Sequence, residues 1–380
     1  MKKEKLLINF VYCNPVGHVV EALKFAKGYK VANKNLDVYL LLNARSTPEL
    51  AKACPWVKKA YSVDPHKFRP CRPYNEKTMA LKGIPRTWDY VYVDNRAPNY
   101  SVEGEGWEIR DCYAFTKDYF KARKGKGWTY DSKGDNAKFL KYLPHQKITL
   151  QLPESALNFA ERYRHSGTKI AILPAGSGKP GRYPSIESWE NIIKAFNREF
   201  PDAKIYLTGF NKISKNTKTR AYTLDQIEDL VNKFDNVVNC YNIGLWNQLA
   251  LIKNSDILVS PHTGFSFLAQ TVGTPWLAIS GRWWPEYILN NVKFYSALPD
   301  CKFYPCNPSG PCDDKINAGK KADCMSDKTI KKRIPEIMKG AKLLMDKKFT
   351  YKKALSIHLK KVKPFLKSGK LGFLDGVQNL

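Results

Sequence analysis

Three stretches of this chain place glycine-containing polar turns directly after apolar runs. The first is NPVGHVVEAL, Asn14 to Leu23, which follows LLINFVYC. Pro15 and Gly17 bend the chain, and His18 then offers an imidazole, a group whose ordinary pKa of about 6.5 suits removal of a hydroxyl proton at neutral pH. A turn histidine with no role is the alternative for the same residue. Asp94, at the end of YVYVD, is the reserve candidate for the base. The second stretch is PAGSGKPGRYP, Pro174 to Pro184, where small residues let backbone N–H groups approach a phosphate and Lys179 and Arg182 supply charge. Its spacing is neither that of a P-loop nor that of the dinucleotide fingerprint. The third is SPHTGFSFLAQTVGTP, Ser260 to Pro275. There Thr263 offers a hydroxyl and an N–H where a helix should begin, and Gly264 admits close approach of an anion.

The elements that must carry these turns alternate. LLINFVY, LDVYLLLN and WDYVYVDN read as strands, with a helical period over VVEALKFAKGYKVA and a Thr-Pro helix start at TPELAKAC. From residue 95 to 143 the pattern weakens into a stretch rich in Gly, Tyr and Lys, read as acceptor-binding loops. Alternation resumes with KIAILPAG, SIESWENIIKAF (Ser185 as N-cap), AKIYLTGF, DQIEDLVNKF, VVNCYNIG, WNQLALIKNS, DILVSPHTG, FSFLAQTVG and TPWLAISG. Strands separated by helices of this length predict βαβ units and parallel sheets. Residues 1–150 and 168–340 are therefore expected to form two doubly wound α/β domains, joined around 150–167 and followed by a basic helical tail, 341–380. In open parallel sheets ligands bind where strands end and helices begin, which is where all three turns fall.

With 380 residues, 43% of them hydrophobic and 13% aromatic, the chain can build two sizeable cores. No apolar run is long enough to span a membrane, and the N-terminal one lacks a small-residue cleavage site, so a buried first strand and a cytoplasmic protein are expected. The net charge of +28 is shared by both halves of the chain. It fits a solvated lysine-rich surface, an anionic membrane face, an anionic substrate or nucleic acid. The even spread argues against a dedicated nucleic-acid patch. In the tail, Ala354, Leu355, Ile357, Leu359, Val362, Phe365 and Leu366 stand among lysines. A helix packing back on the N-terminal domain or one lying on a membrane surface accounts for that pattern. Cys301, Cys306, Cys312 and Cys324 read C-x4-C-x5-C-x11-C on a segment bent by three prolines and a glycine. A structural Zn or Fe is one reading; free thiols or a local disulfide is the other. Trp283 and Trp284 follow a Ser-Gly-Arg turn and could stack a base or sugar.

DILVSPHTGFSFLAQTVGTPWLAISG resembles the signature of the heptosyltransferase-like glycosyltransferases, glycosyltransferase family 9. In that signature an acidic residue precedes Thr/Ser-Gly, a His-Leu-Ala follows, and a Gly-x-Pro leads into a strand ending in Gly. ILPAGSGKPGRYPSIESWENIIKAF is similar to the same family's donor loop, with its basic-aromatic-Pro triplet. The resemblance covers 168–285 well, 1–60 fairly and 95–150 poorly. It implies a GT-B architecture, two Rossmann-like domains facing an interdomain cleft, with the acceptor on the N-terminal domain and a nucleotide-sugar on the C-terminal one.

By the same resemblance, Thr263 and Gly264, with Phe265 beside them, would hold the donor diphosphate and Arg182 would neutralise it. Gly176 and Ser177 would line the donor loop, and Thr208 and Gly209 would lie near the nucleoside. Asn14 and Gly17 would shape the acceptor-side loop. The family's acidic residue is His262 here, the histidine of its His-Leu-Ala is Phe267, and its Gly-Asp near the N-terminus is Gly17-His18. Other inverting enzymes of this architecture carry Gly-His there, with histidine as base. His262 is expected to donate to a sugar hydroxyl or to phosphate. The expectation is an inverting sugar transfer that needs no cofactor, to a glycan, lipid-linked or protein acceptor at the inner face of the membrane. An epimerase or hydrolase of the same fold, and a basic nucleic-acid-binding protein, are the rivals.

Overall fold

A computed structural model describes residues 3–11, 16–64, 81–93, 116–128, 140–143, 146–211, 221–279, 281, 290–301, 303–304 and 312–367. The chain divides into two units at Gln151/Leu152. Asn14, Asp94, Cys306, Trp283 and Trp284 lie outside the described residues.

In the first unit, β1 (Glu4–Phe10), α1 (Val16–Ala32), β2 (Leu36–Asn43), β3 (Lys59–Val63), β4 (Thr87–Val93) and β5 (Lys121–Trp128) form a parallel sheet in the order β3-β2-β1-β4-β5. β1 lies at its centre and is apolar without alternation: Leu6, Leu7, Ile8 and Phe10 are all buried, as a strand covered on both faces requires. The polar exception is Asn9, fully buried, whose Nδ2 donates to Thr116 Oγ1 at 2.8 Å. The expected helix after β2 is a 3₁₀ segment, Pro48–Ala53.

The second unit begins with α2 (Glu154–Ala160), which occupies the stretch read as a linker. There follow β6 (Lys169–Ile172), α3 (Ile186–Glu199), β7 (Lys204–Gly209), α4 (Leu224–Asn232), β8 (Val237–Tyr241) and α5 (Leu245–Lys253). Next come β9 (Ile257–Pro261), α6 (Gly264–Ala269), β10 (Trp276–Ile279), β11 (Phe294–Ala297), α7 (Asp313–Asn317), α8 (Asp327–Met345) and α9 (Tyr351–Lys367). The sheet order is β11-β10-β9-β6-β7-β8, parallel at every junction. α2 packs on α5 through Ala156, Ala160 and Ala250.

α9 belongs to the tail, and its described part packs on the second unit. Ala354, Leu355, His358 and Val362 are buried, with the His358 ring 5.4 Å from Phe294 and Phe365 5.3 Å from Tyr304. The apolar face that a membrane would take up is therefore spent on β11, and the lysines at 352, 353, 360 and 363 face outward. Among the described residues no helix is long and apolar enough to cross a membrane.

Helix starts follow local chemistry. Ser185 Oγ accepts from the Ser188 N–H at 3.0 Å, and Thr223 with Gln226 forms a reciprocal capping box on α4. The Ser185 hydroxyl also bonds the Asp327 carboxylate at the start of α8, tying two helix N-termini together. Ser185→Ala removes both bonds and is expected to lower stability by about 1–2 kcal/mol, read as an earlier urea midpoint with unchanged slope.

Candidate functional site

Each sheet reverses direction of growth once. In the second unit the chain leaves β6 for β7 and β8, then returns to pair β9 on the other side of β6. The loops after β6 and β9 flank that switch point, the place where an open α/β sheet leaves a crevice. These are the second and third of the stretches singled out from the sequence, and the fold brings them together at Gly176. A Cβ there would stand 2.8 Å from Thr263 Cγ2 and 3.0 Å from the Tyr183 hydroxyl.

The loop after β6 is held in several places. Tyr183 Oη accepts from the Gly178 N–H at 2.9 Å. Trp189 Nε1, fully buried, donates to the Pro174 carbonyl and to Tyr222 Oη, and Tyr222 in turn donates to the Pro184 carbonyl. Lys321 Nζ donates to the carbonyls of Pro180, Tyr183 and Pro184 at 2.9 to 3.3 Å, and burial pushes its pKa down. The Ala322 N–H donates to the Gly181 carbonyl, and a Cβ on Gly181 would strike the Lys320 carbonyl. Ser177 and Lys179 are exposed on this scaffold. Lys179 reaches Asn317 Oδ1, and Arg182 Nη2 stands 3.7 Å from Asp313, so both cations lean toward α7. Arg182 Nε is buried without a hydrogen-bond partner among the described residues.

After β9, Thr263 caps α6. Its Oγ1 accepts from the Ser266 N–H at 3.1 Å and lies 2.8 Å from Ser266 Oγ. Ser266 Oγ also meets Ser260 Oγ, which accepts from Trp276 Nε1, and donates to the Pro261 carbonyl. The Thr263 hydroxyl is thus engaged inside a buried network. The N–H groups of Gly264 and Phe265 are the first two of the helix, positions that lack an intrahelical acceptor. Phe267, standing where a histidine was the family expectation, packs edge-on to Trp276 at 5.3 Å.

Two expected donor contacts look different in the fold. Part of His262 is open to solvent, but its Nδ1 is enclosed and its ring lies 5.7 Å from Trp276. Burial, with the positive charges of His358 and Arg333, pushes its pKa down to about 3, so it is neutral at physiological pH and offers no cation to a phosphate. Thr208 is fully buried and donates to the Ile172 carbonyl, binding β7 to β6. Gly209 is covered by Tyr241, whose Cζ would lie 2.4 Å from a Cβ at that position. The Tyr241 hydroxyl is buried with no partner among the described residues, and burial raises its pKa well above the phenol range. Tyr222, Tyr241 and Lys321 carry no motif; only long-range packing reveals them.

The first unit switches between β1 and β4. Gly17 and His18 fall in the first turn of α1, directly beyond β1. His18 Nδ1 stands 3.2 Å from Glu21 Oε2. Further along, Lys24 Nζ donates to the Gln146 carbonyl at 3.2 Å, and burial pushes its pKa down to about 7.

Among the described residues the cysteines form no ligand set. Cys312 and Cys324 are buried and Cys301 half-buried, yet among the described residues no group of three or more His, Cys, Asp or Glu converges to hold a metal ion. The segment from Cys312 to Met325 instead packs beneath the 179–184 loop. The metal expectation gains no support among the described residues.

No family model and no curated protein sequence matches the chain. Solved structures do. The chain is similar to a glycosyl transferase of family 9 from Veillonella parvula, with TM-score 0.59 and 12% identity, over 91% of this chain and 98% of the other. It is also similar to Escherichia coli ADP-heptose lps heptosyltransferase II, with TM-score 0.52 and 11% identity, over 89% and 99%. At these identities the likeness is one of fold. It establishes two Rossmann-like, doubly wound units, as expected from the alternation of strands and helices.

Two outcomes check the site. Gly176→Val places carbon atoms where Thr263 and Tyr183 already stand, and should speed amide hydrogen exchange in 174–184 and 262–266 while the rest of the second unit keeps its protection. For Lys24, folded and unfolded chains are both protonated below pH 7, so the cost of burying the cation is then complete. Between pH 7 and the ordinary lysine value of 10.5 only the folded form sheds the proton, and stability rises. Lys24→Met should therefore raise the urea midpoint at pH 6 and abolish that rise relative to wild type.

Proposed function

We propose that this chain is an inverting, metal-independent glycosyltransferase that moves a sugar from a nucleotide-sugar donor to a hydroxyl acceptor. The observation that carries the reading is the approach of Gly176 to Thr263 at the switch point of the second unit, where a loop pinned by Trp189, Tyr222 and Lys321 meets the start of α6. The likeness in fold to family 9 glycosyltransferases supports it. A leaving nucleoside diphosphate needs positive potential that is fixed before the reaction, and oriented amides with one cation supply it. The N–H groups of Gly176, Ser177, Gly264 and Phe265 take that role, with Arg182 as the cation and Lys179 at the rim.

Arg182 is suited to the task because its present partner is distant. An exposed ion pair at 3.7 Å is worth about 0–1 kcal/mol, which a diphosphate readily outweighs. His18 is the base that takes the acceptor proton. A neutral His262 in place of an acidic residue favours a donor sugar other than heptose. The acceptor is a cell-surface glycan or lipid-linked precursor of the lipopolysaccharide type, handled in the cytoplasm at the inner membrane face. The outward lysines of α9 support contact with an anionic surface through charge alone.

A thermal-shift screen with ADP-, UDP-, GDP- and dTDP-sugars tests the donor site. At a hundredfold excess over Kd, one of them should stabilise the protein by about 2.7 kcal/mol, a rise of roughly 5–10 °C. No response to any of the four, with a response to duplex DNA or RNA, would falsify the reading. His18→Ala should keep the thermal shift while transfer falls by about 10²–10⁴. Sugar release without any acceptor would instead indicate hydrolysis or epimerisation on the same fold.

A further inference from the structure

A histidine base must present its unprotonated nitrogen to the acceptor hydroxyl, and which nitrogen that is depends on what the other one is bonded to. In α1, His18 Nδ1 lies 3.2 Å from Glu21 Oε2, the two residues being three apart and so one above the other on the helix. Their burial differs. The Glu21 side chain is 4% exposed against 23% for His18. An ordinary i,i+3 pair on a solvent face contributes little to stability, whereas enclosing a carboxylate is costly unless it is paired and hydrogen-bonded. Val19, Val20, Ala22 and Leu23 around it are buried and apolar, so packing alone would favour another aliphatic residue at this position.

Two further groups lie near this carboxylate. Tyr142, from the short segment that lies on α1 against Gly28, has its phenol raised chiefly by burial and then by Tyr29 and by the charge of Glu21. Lys24, one turn further along α1, has its Nζ on the Gln146 carbonyl.

We propose that Glu21 is the positioning residue for His18. It accepts a hydrogen bond from Nδ1–H and so leaves Nε2 as the basic nitrogen, a role whose chemical purpose rests on the transferase reading above. As the acceptor oxygen attacks the anomeric carbon, its proton passes to Nε2. The new C–O bond forms while the bond from that carbon to the diphosphate oxygen breaks, and the electron pair leaves with the diphosphate. The resulting imidazolium keeps Nδ1–H on the Glu21 carboxylate, which remains ionised throughout.

The tautomer can be read without any donor. In full-length protein labelled with ¹⁵N-histidine, long-range ¹H–¹⁵N spectra distinguish Nδ1–H from Nε2–H, and His18→Ala identifies the His18 signals among those of the six histidines. Wild type is expected to show neutral His18 as the Nδ1–H tautomer. Glu21→Gln should retain it, because the amide oxygen still accepts. Glu21→Leu, an apolar fit to the buried position, should revert to the Nε2–H form that free imidazole prefers. With whichever of the four nucleotide-sugars raises the melting temperature most, Glu21→Leu should lower kcat at least about tenfold, inside the ~10²–10⁴ that a general base supplies, with the donor KM unchanged. An Nε2–H tautomer in wild type, or an Nδ1–H tautomer that survives Glu21→Leu, overturns the proposal. Because neither result depends on finding a donor, failure here is distinct from failure of the transferase reading.

Discussion

The parallel pairing of β6 with β9 is the constraint from which the second unit's chemistry follows. Right-handed crossovers send the helix after β6 and the helix after β9 to opposite faces of the sheet, so the two intervening loops part at the strand ends and leave backbone exposed between them. Backbone can meet there only where side chains are missing. Gly176 meets that condition against Thr263, and Gly178 meets it against the Tyr183 ring. The loop would lose this shape without its supports, because a glycine-rich segment has much conformational freedom to lose on ordering. Trp189, Tyr222 and Lys321 supply the order by binding carbonyls at both ends of the loop.

Charge in this protein divides by location. The excess of +28 lies mostly on solvated lysines, while the buried cations act as hydrogen-bond donors to main-chain carbonyls. Arg333 donates to the carbonyls of Cys324 and Ala297, Lys321 to three carbonyls of the 174–184 loop, and Lys24 to that of Gln146. Each binds a turn that no helix or ladder would satisfy. Net charge therefore says little about what the protein binds. The informative cation is Arg182, partly buried and only loosely paired, at the rim of the loop pair.

The sequence made the architecture legible because parallel strands covered on both faces read as unbroken apolar runs, and because Ser185, Thr223 and Thr263 announce their helices by capping chemistry. The residues that flank both switch points were legible for the same reason: strand ends and helix starts fix them locally. β11 was not, since FYSA is a four-residue edge strand with no period to detect. The support of the donor loop was not either. Lys321 lies 137 residues beyond Pro184, to which it donates, and nothing local marks it. Thr208 and His262 show the opposite difficulty. Their types suit a site, but Thr208 spends its hydroxyl on Ile172 and His262 turns its ring toward Trp276. The cysteine spacing finds no metal site among the described residues, since spacing along the chain does not require convergence in space.

His18 and His262 occupy comparable places, each following a central strand at the switch point of its own unit, and yet they are chemically opposite. His262 is enclosed against Trp276, and the charges of Arg333 and His358 oppose any proton it might gain, so it stays neutral. It can pack and accept a hydrogen bond, but it cannot shuttle a proton near neutral pH. His18 keeps about a quarter of its side chain in solvent and has a carboxylate at Nδ1. Residue type and position alone do not separate the two. The separation comes from what surrounds each ring, Trp276, Arg333 and His358 in one case and Glu21 in the other.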